Sequence, residues 1–184
     1  SEWFMTEKGR KVYYLNTYIK DLVRIFDQNE RKDYLRLDLN ENPGGLPDKF
    51  IKKILKKVTP QLISQYPETL HFTKVLADYL NTDVQHLCLV NGSAEGIRYI
   101  IQAFTSENGR IVGVVPSYFM FQVYSEMYGR NFVKIPYNDD LTMDIKKIIA
   151  ELTEDTQLLV LLNPNNPMGN VYSDEEMEKA LQQP

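Results

Sequence analysis

Three short turns in this 184-residue chain concentrate side chains able to do chemistry. In Asn91-Gly92-Ser93-Ala94-Glu95-Gly96, Gly92 permits a tight turn into a segment with helical spacing. The amides of Ser93 and Ala94, with the Ser93 hydroxyl, can then meet a phosphate at the helix N-terminus. Ordinary helix capping uses the same Gly-Ser pair. In Pro116-Ser117-Tyr118-Phe119, the Tyr118 ring could lie on a flat heteroaromatic ligand, or it could simply plug the core. Asn163-Pro164-Asn165-Asn166-Pro167-Met168-Gly169 holds two prolines and a glycine in seven residues. That composition fixes a rigid loop from which Asn166 presents an amide donor, although a proline-rich connection would also account for it.

The segments between these turns dictate how they are positioned. Leu87–Val90, Ile111–Val115, Asn131–Ile135 and Gln157–Leu162 read as strands, several of them continuously apolar. Helical spacing covers 94–104, 119–128 and 144–152, and Ser173 with Glu176 forms a capping box for one more helix. Four strand-helix alternations predict an α/β fold with a mainly parallel sheet covered on both faces and right-handed crossovers. In such sheets ligands bind outside the carboxyl ends of the strands, which is where the three turns fall.

The N-terminal half is less regular. Residues 4–31 mix aromatic and charged positions and read as an arm; the first 34 residues are set apart as that segment. Leu35–Leu39 alternates like a strand, and Asn40-Glu41-Asn42-Pro43-Gly44-Gly45-Leu46-Pro47 must be a loop. An amphipathic helix follows from Pro47 and Asp48 and ends before Pro60, and another spans 69–80.

Composition narrows the function classes. A net charge of −4 with no basic, aromatic-studded face argues against nucleic acid. No apolar stretch approaches the ~18 residues of a membrane span, and the start lacks a leader pattern, so a cytoplasmic protein is expected. Cys88, the single cysteine, sits in an apolar run and reads as a buried reduced thiol; it and the two histidines, His71 and His86, are too scattered for a metal site. The Lys52, Lys53, Lys56 and Lys57 cluster reads as a solvated helix face.

The order of these motifs resembles that of fold-type I pyridoxal-phosphate (PLP) dependent aminotransferases, most closely the histidinol-phosphate aminotransferase branch. Asn163–Gly169 is similar to that branch's Asn-Pro-Asn-Asn-Pro-Thr-Gly loop, with Met168 replacing threonine. The resemblance implies that Asn166 hydrogen-bonds the phenolic oxygen of the cofactor ring and that Tyr118 stacks on the ring. Ser93 and Ala94 would contact the phosphate, Ala94 departing from the acidic residue common there. Tyr66, in Gln65-Tyr66-Pro67-Glu68, would reach the phosphate of the neighbouring site in a homodimer. Asn40 and Asn42, in the Asn-Glu-Asn-Pro loop, would lie by the substrate.

On this resemblance, residues 35–184 form the first half of the PLP-binding large domain of a three-layer α/β/α fold. The remainder of that domain, a small domain and the Schiff-base lysine would lie beyond residue 184, leaving no catalytic residue in the chain. The implied reaction is amino transfer between an amino acid, or histidinol phosphate, and a 2-oxo acid. A non-catalytic phosphate- or nucleotide-binding α/β module is the alternative. It loses weight because neither Gly-x-Gly-x-x-Gly nor Gly-x-x-x-x-Gly-Lys-Ser/Thr occurs.

Overall fold

The computed structural model describes residues 2–5, 11–15, 33–37 and 39–182. Strands β1 (Glu2–Met5) and β2 (Lys11–Leu15) pair antiparallel; most of the arm expected over residues 4–31 lies outside the described residues. Two compact units follow from the contact pattern, one of residues 22–89 and one containing residues 90–184.

In the first unit, Arg36 bonds Glu41 at 3.2 Å and the carbonyl of Pro43 at 3.3 Å, so the Asn-Glu-Asn-Pro stretch is an ordered loop folded on itself. Among the described residues of Leu35–Leu39 none is in a strand: Leu35 and Leu37 are exposed, and Leu39 turns into left-handed backbone. Helix α1 is Asp48–Leu55 and helix α3 is Thr69–Leu80, the latter as its spacing predicts. Pro60, read as a terminator, opens the short helix α2 (Pro60–Ser64), whose N-terminus is capped by Thr59 accepting from the Leu62 amide at 3.1 Å. Proline suits the first helical position because its missing N–H would find no partner there.

The second unit carries the sheet. Helix α4 (Ser93–Phe104) leads through a turn into β3 (Arg110–Val115), then α5 (Met120–Met127), β4 (Asn131–Pro136), α6 (Ile145–Ile149), β5 (Thr156–Val160) and α7 (Asp174–Leu181). The strands are parallel in the order β4-β3-β5. Leu87–Val90, expected as a fourth strand, joins no ladder. Its length and apolarity match a strand, but only a hydrogen-bonding neighbour makes one. Cys88 is accordingly exposed rather than buried.

Strand parity separates two apolar layers. On one face Val112, Val114 and Ile135 pack with Ile145 and Ile148 of α6, Ala180 of α7, and Tyr172. On the other, Ile111 and Val160 pack with Ile97 and Ile101 of α4, flanked by Phe121 and Phe132. Gly113 lies beneath Phe132: a Cβ there would meet the ring tip at 2.8 Å, so the ring's position requires glycine. The capping box of α7 is present in both directions, Ser173 Oγ accepting from the Glu176 amide and Glu176 accepting from the Ser173 amide. Among the described residues no helix is long and apolar enough to cross a membrane.

Two predictions follow from the layer under α6 and α7. Ile148 is fully buried, so Ile148→Ala lowers unfolding free energy by about 2–5 kcal/mol in urea titration. Leu181→Ala, at a position 79% exposed, changes it by under about 0.5 kcal/mol. Burial first, then the neighbouring Tyr137, push the Tyr172 phenol up to about 12. Because an unfolded tyrosine titrates near pH ~10, the unfolded chain loses this proton first. Stability contributed by neutral Tyr172 is therefore complete below pH ~10 and lost as pH rises toward 12. Tyr172→Phe should remove that loss from the alkaline denaturation curve.

Candidate functional site

Adjacent parallel strands send their following turns out of one sheet edge, and β3 and β5 are such neighbours. The segment after β3, Pro116–Tyr118, and the loop after β5, Asn163–Gly169, therefore meet. Their junction is the side chain of Asn165, 2% exposed. Its Oδ1 accepts from Ser117 Oγ at 2.7 Å, and its Nδ2 donates to the Pro116 carbonyl at 3.0 Å and to Tyr137 Oη at 2.8 Å. Tyr137 follows directly on β4 and also donates to Asn170. All three strand ends are thus joined through one amide.

The loop is closed on itself as well. The Asn165 amide donates to the Asn170 carbonyl at 3.0 Å, and the Gly169 amide donates to the Asn165 carbonyl at 2.6 Å. At its base, Asn163 exchanges bonds with the backbone of Tyr172, at 3.2 and 3.1 Å. Gly169 adopts φ +74°, a left-handed conformation that costs glycine little. The bonds preceding Pro116, Pro164 and Pro167 are cis.

Against this frame, Asn166 is exposed, as its expected role as a donor requires. Tyr118 is half-buried, its ring held edge-on by Phe119 (centroids 5.7 Å apart) and Phe121 (6.4 Å). Edge contacts of this kind fix the ring plane, and Tyr118 also packs against the cluster of Ile97, Ile101, Ile111 and Val160, so part of the ring serves the core.

The Gly92–Ser93 turn reaches the same edge by a different route. The segment leaving α4 is tied to the start of β5, Ser106 accepting from and donating to the Gln157 side chain at 2.8–3.2 Å. That exit is at the amino edge of the sheet. Twelve helical residues span about 18 Å, and Ile97 packs with Val160 near the far end of β5, so the helix's first turn lies toward the carboxyl edge. Gly92 is the N-cap at φ +84°, with no side chain capping the helix and open space where a Cβ would stand. Ser93 is exposed and Ala94 half-buried.

Glu95 shapes this turn. Its carboxylate takes the Asn91 amide at 2.7 Å, the Tyr99 hydroxyl at 3.0 Å and Arg98 at 3.3 Å. The Asn91 bond first, then Tyr99 and Arg98, hold its carboxyl below the usual range. The acidic group is thereby turned back onto the helix and paired with a cation, which limits its repulsion of an anion bound to the helix amides.

Tyr66, Asn40 and Asn42 belong to the other unit. Tyr66 is 96% exposed, Asn40 is exposed in left-handed backbone, and Asn42 braces its own loop, donating to the Gly45 carbonyl at 2.8 Å. Asn165, Tyr137 and Glu95 were given no role from sequence. The doubled asparagine was the available signal, but nothing in it says which of the two turns inward. An apolar hollow of about 400 Å³ lies beside Tyr118, lined by Val115, Phe121, Phe132, Lys134 and Val160. Pro116, Ser117, Tyr118 and Phe119 line it too, so it opens against the second turn, whereas Ser93 and Asn166 do not line it.

The family model for aminotransferase class I and II matches residues 32–183. The chain is 29% identical over 161 residues to histidinol-phosphate aminotransferase of Thermococcus gammatolerans, covering 86% of this chain and 46% of that protein. It is 29% identical over 167 residues to the Clostridium novyi enzyme of the same name, covering 89% and 47%. The chain thus spans about half the length of the curated relatives it matches. Among solved structures, histidinol-phosphate aminotransferase from Clostridium acetobutylicum superposes with a TM-score of 0.63 at 26% identity, covering 78% of this chain and 41% of that one. The Sinorhizobium meliloti histidinol-phosphate aminotransferase, solved in complex with pyridoxal-5'-phosphate, shares the fold with a TM-score of 0.73 at 21% identity over 92% of this chain and 48% of that one. The match runs from the loop before α1 through α7 and takes in every turn described above, and by it the chain belongs to the aminotransferase class I and II family.

Proposed function

We propose that this chain supplies the front half of a PLP-dependent aminotransferase that moves an amino group between an amino acid, or histidinol phosphate, and a 2-oxo acid. The observation that carries the reading is the placement of three complementary groups toward the carboxyl edge of the sheet: uncapped helix amides, a held aromatic ring and an outward amide donor. These residues fit the cofactor. The amides of Ser93 and Ala94 and the Ser93 hydroxyl suit its phosphate, the half-buried Tyr118 ring suits its ring, and Asn166 Nδ2 suits its phenolic oxygen. When bound, the cofactor supplies an electron sink for the substrate carbanion.

The chain's own residues bind and orient. Helix amides and Ser93 anchor one end by charge and hydrogen bonding, Tyr118 fixes the ring plane, and Asn166 holds the oxygen in line. None of the lysines here is assigned to bond the cofactor aldehyde. Lys134 and Lys146, in a strand and a helix, match no family position for that role. Transaminase turnover by these 184 residues alone is not expected. Residues 35–184 would be the first half of the large domain, with Asn40 and Asn42 beside the substrate. Tyr66, nearly fully exposed, would serve the partner's phosphate in a cytoplasmic homodimer.

Titration with PLP, followed by absorbance, tests the site. The chain should bind PLP reversibly, and Tyr118→Ala and Asn166→Ala should each weaken binding about 3–10-fold, the range that ~0.5–1.5 kcal/mol implies. Ser93→Glu, placing a charge against the phosphate, should weaken it by more than about tenfold. Unchanged affinity in all three variants would remove the reading. Borohydride reduction followed by mass analysis should leave no single lysine modified; one specifically modified lysine would restore a complete covalent site to this chain.

A further inference from the structure

We propose that Asn165 is the positioning residue that holds Tyr118 and Asn166 as one rigid recognition unit, so that ring stacking and oxygen recognition are coupled. This rests on the PLP-site reading above and adds a role for a side chain that would not touch the ligand.

A buried amide left without partners costs about 1–3 kcal/mol per group, so Asn165 is stable at 2% exposure only while its partners stay in place. The inventory of an asparagine side chain is one acceptor oxygen and two N–H donors. Here the oxygen takes Ser117 Oγ, and the nitrogen serves the Pro116 carbonyl and Tyr137 Oη. Pro116 and Ser117 immediately precede Tyr118, and Asn165 immediately precedes Asn166. A shift of either turn would break bonds of the same amide, so neither recognition residue can move independently of the other. Tyr137, which also bonds Asn170 across the loop, ties the unit to the end of β4.

Chemistry elsewhere in the site is outside this unit. The Gly92–Ser93 turn is held by Glu95 and the Asn91 amide, with no bond to Asn165. Loss of Asn165 should therefore degrade recognition of the ring and spare recognition of the phosphate.

The test is a double-mutant cycle on PLP affinity using Asn165→Ala and Asn166→Ala in the 184-residue chain, with inorganic phosphate binding and thermal unfolding measured on each variant. If Asn165 positions the unit, the penalty of Asn166→Ala shrinks at least threefold in the Asn165→Ala background, because a displaced donor no longer contributes. Phosphate affinity stays within about twofold, since helix amides alone supply that site. Penalties that simply multiply would overturn the proposal, as would an equal loss of phosphate binding, which marks general destabilisation. Should Asn165→Ala fail to fold, Tyr137→Phe replaces it in the cycle. It removes one of the three side-chain bonds and should give coupling of the same sign; strict multiplicativity there is equally contradictory. Wild-type binding weakened by Asn166→Ala alone, without coupling, leaves the PLP-site reading standing and sinks only the role of Asn165. Absence of PLP binding by the wild-type chain sinks both.

Discussion

A buried asparagine amide must be fully paired, and among the described residues the Asn165 side chain finds its partners at the ends of other strands. That constraint organises the candidate site. Parallel pairing of β3 with β5 brings the two turns to one edge, and the amide then fixes their distance within the tolerance of a hydrogen bond. The penalty for breaking the pairing, about 1–3 kcal/mol per orphaned group, exceeds what an exposed loop would pay for drifting. A loop that looks irregular is for this reason as determined as the strands it joins.

The layers beneath supply rigidity. Ile111, Val112, Ile101 and Ile148 are essentially inaccessible, and burial of such side chains contributes about 1.5–3 kcal/mol each. Exposed ion pairs such as Lys179–Glu175 contribute at most about 1 kcal/mol. Polar ties matter where they are sheltered and geometrically demanding. Arg130 donates through Nε and Nη2 to the hydroxyl and carbonyl of Thr105, both at 2.9 Å, locking the end of α4 to the approach to β4. With its exit held there and at Gln157, α4 presents its first turn at the opposite, carboxyl edge.

Much of this was legible in the sequence because periodicity and capping are local. Helix α3 coincides with its predicted span, and Ser173 with Glu176 gives the cap its spacing announces. The three sheet strands agree within two residues at each end. What was not legible depended on partners distant in sequence. Leu87–Val90 and Leu35–Leu39 have strand-like composition, yet pairing decides a strand, and among the described residues neither has a neighbour. Cys88 is exposed for the same reason. Asn165 and Asn166 are chemically identical, and only the bonds from Pro116, Ser117 and Tyr137 reveal that the first faces inward and leaves the second for recognition.

The most direct measurement is a crystal structure of the chain with PLP bound. The account predicts the phosphate on the Ser93 and Ala94 amides, the ring against Tyr118, and the phenolic oxygen within about 3.2 Å of Asn166 Nδ2. A cofactor whose ring lies away from Tyr118, or whose phosphate lies away from the Ser93 and Ala94 amides, would contradict that placement.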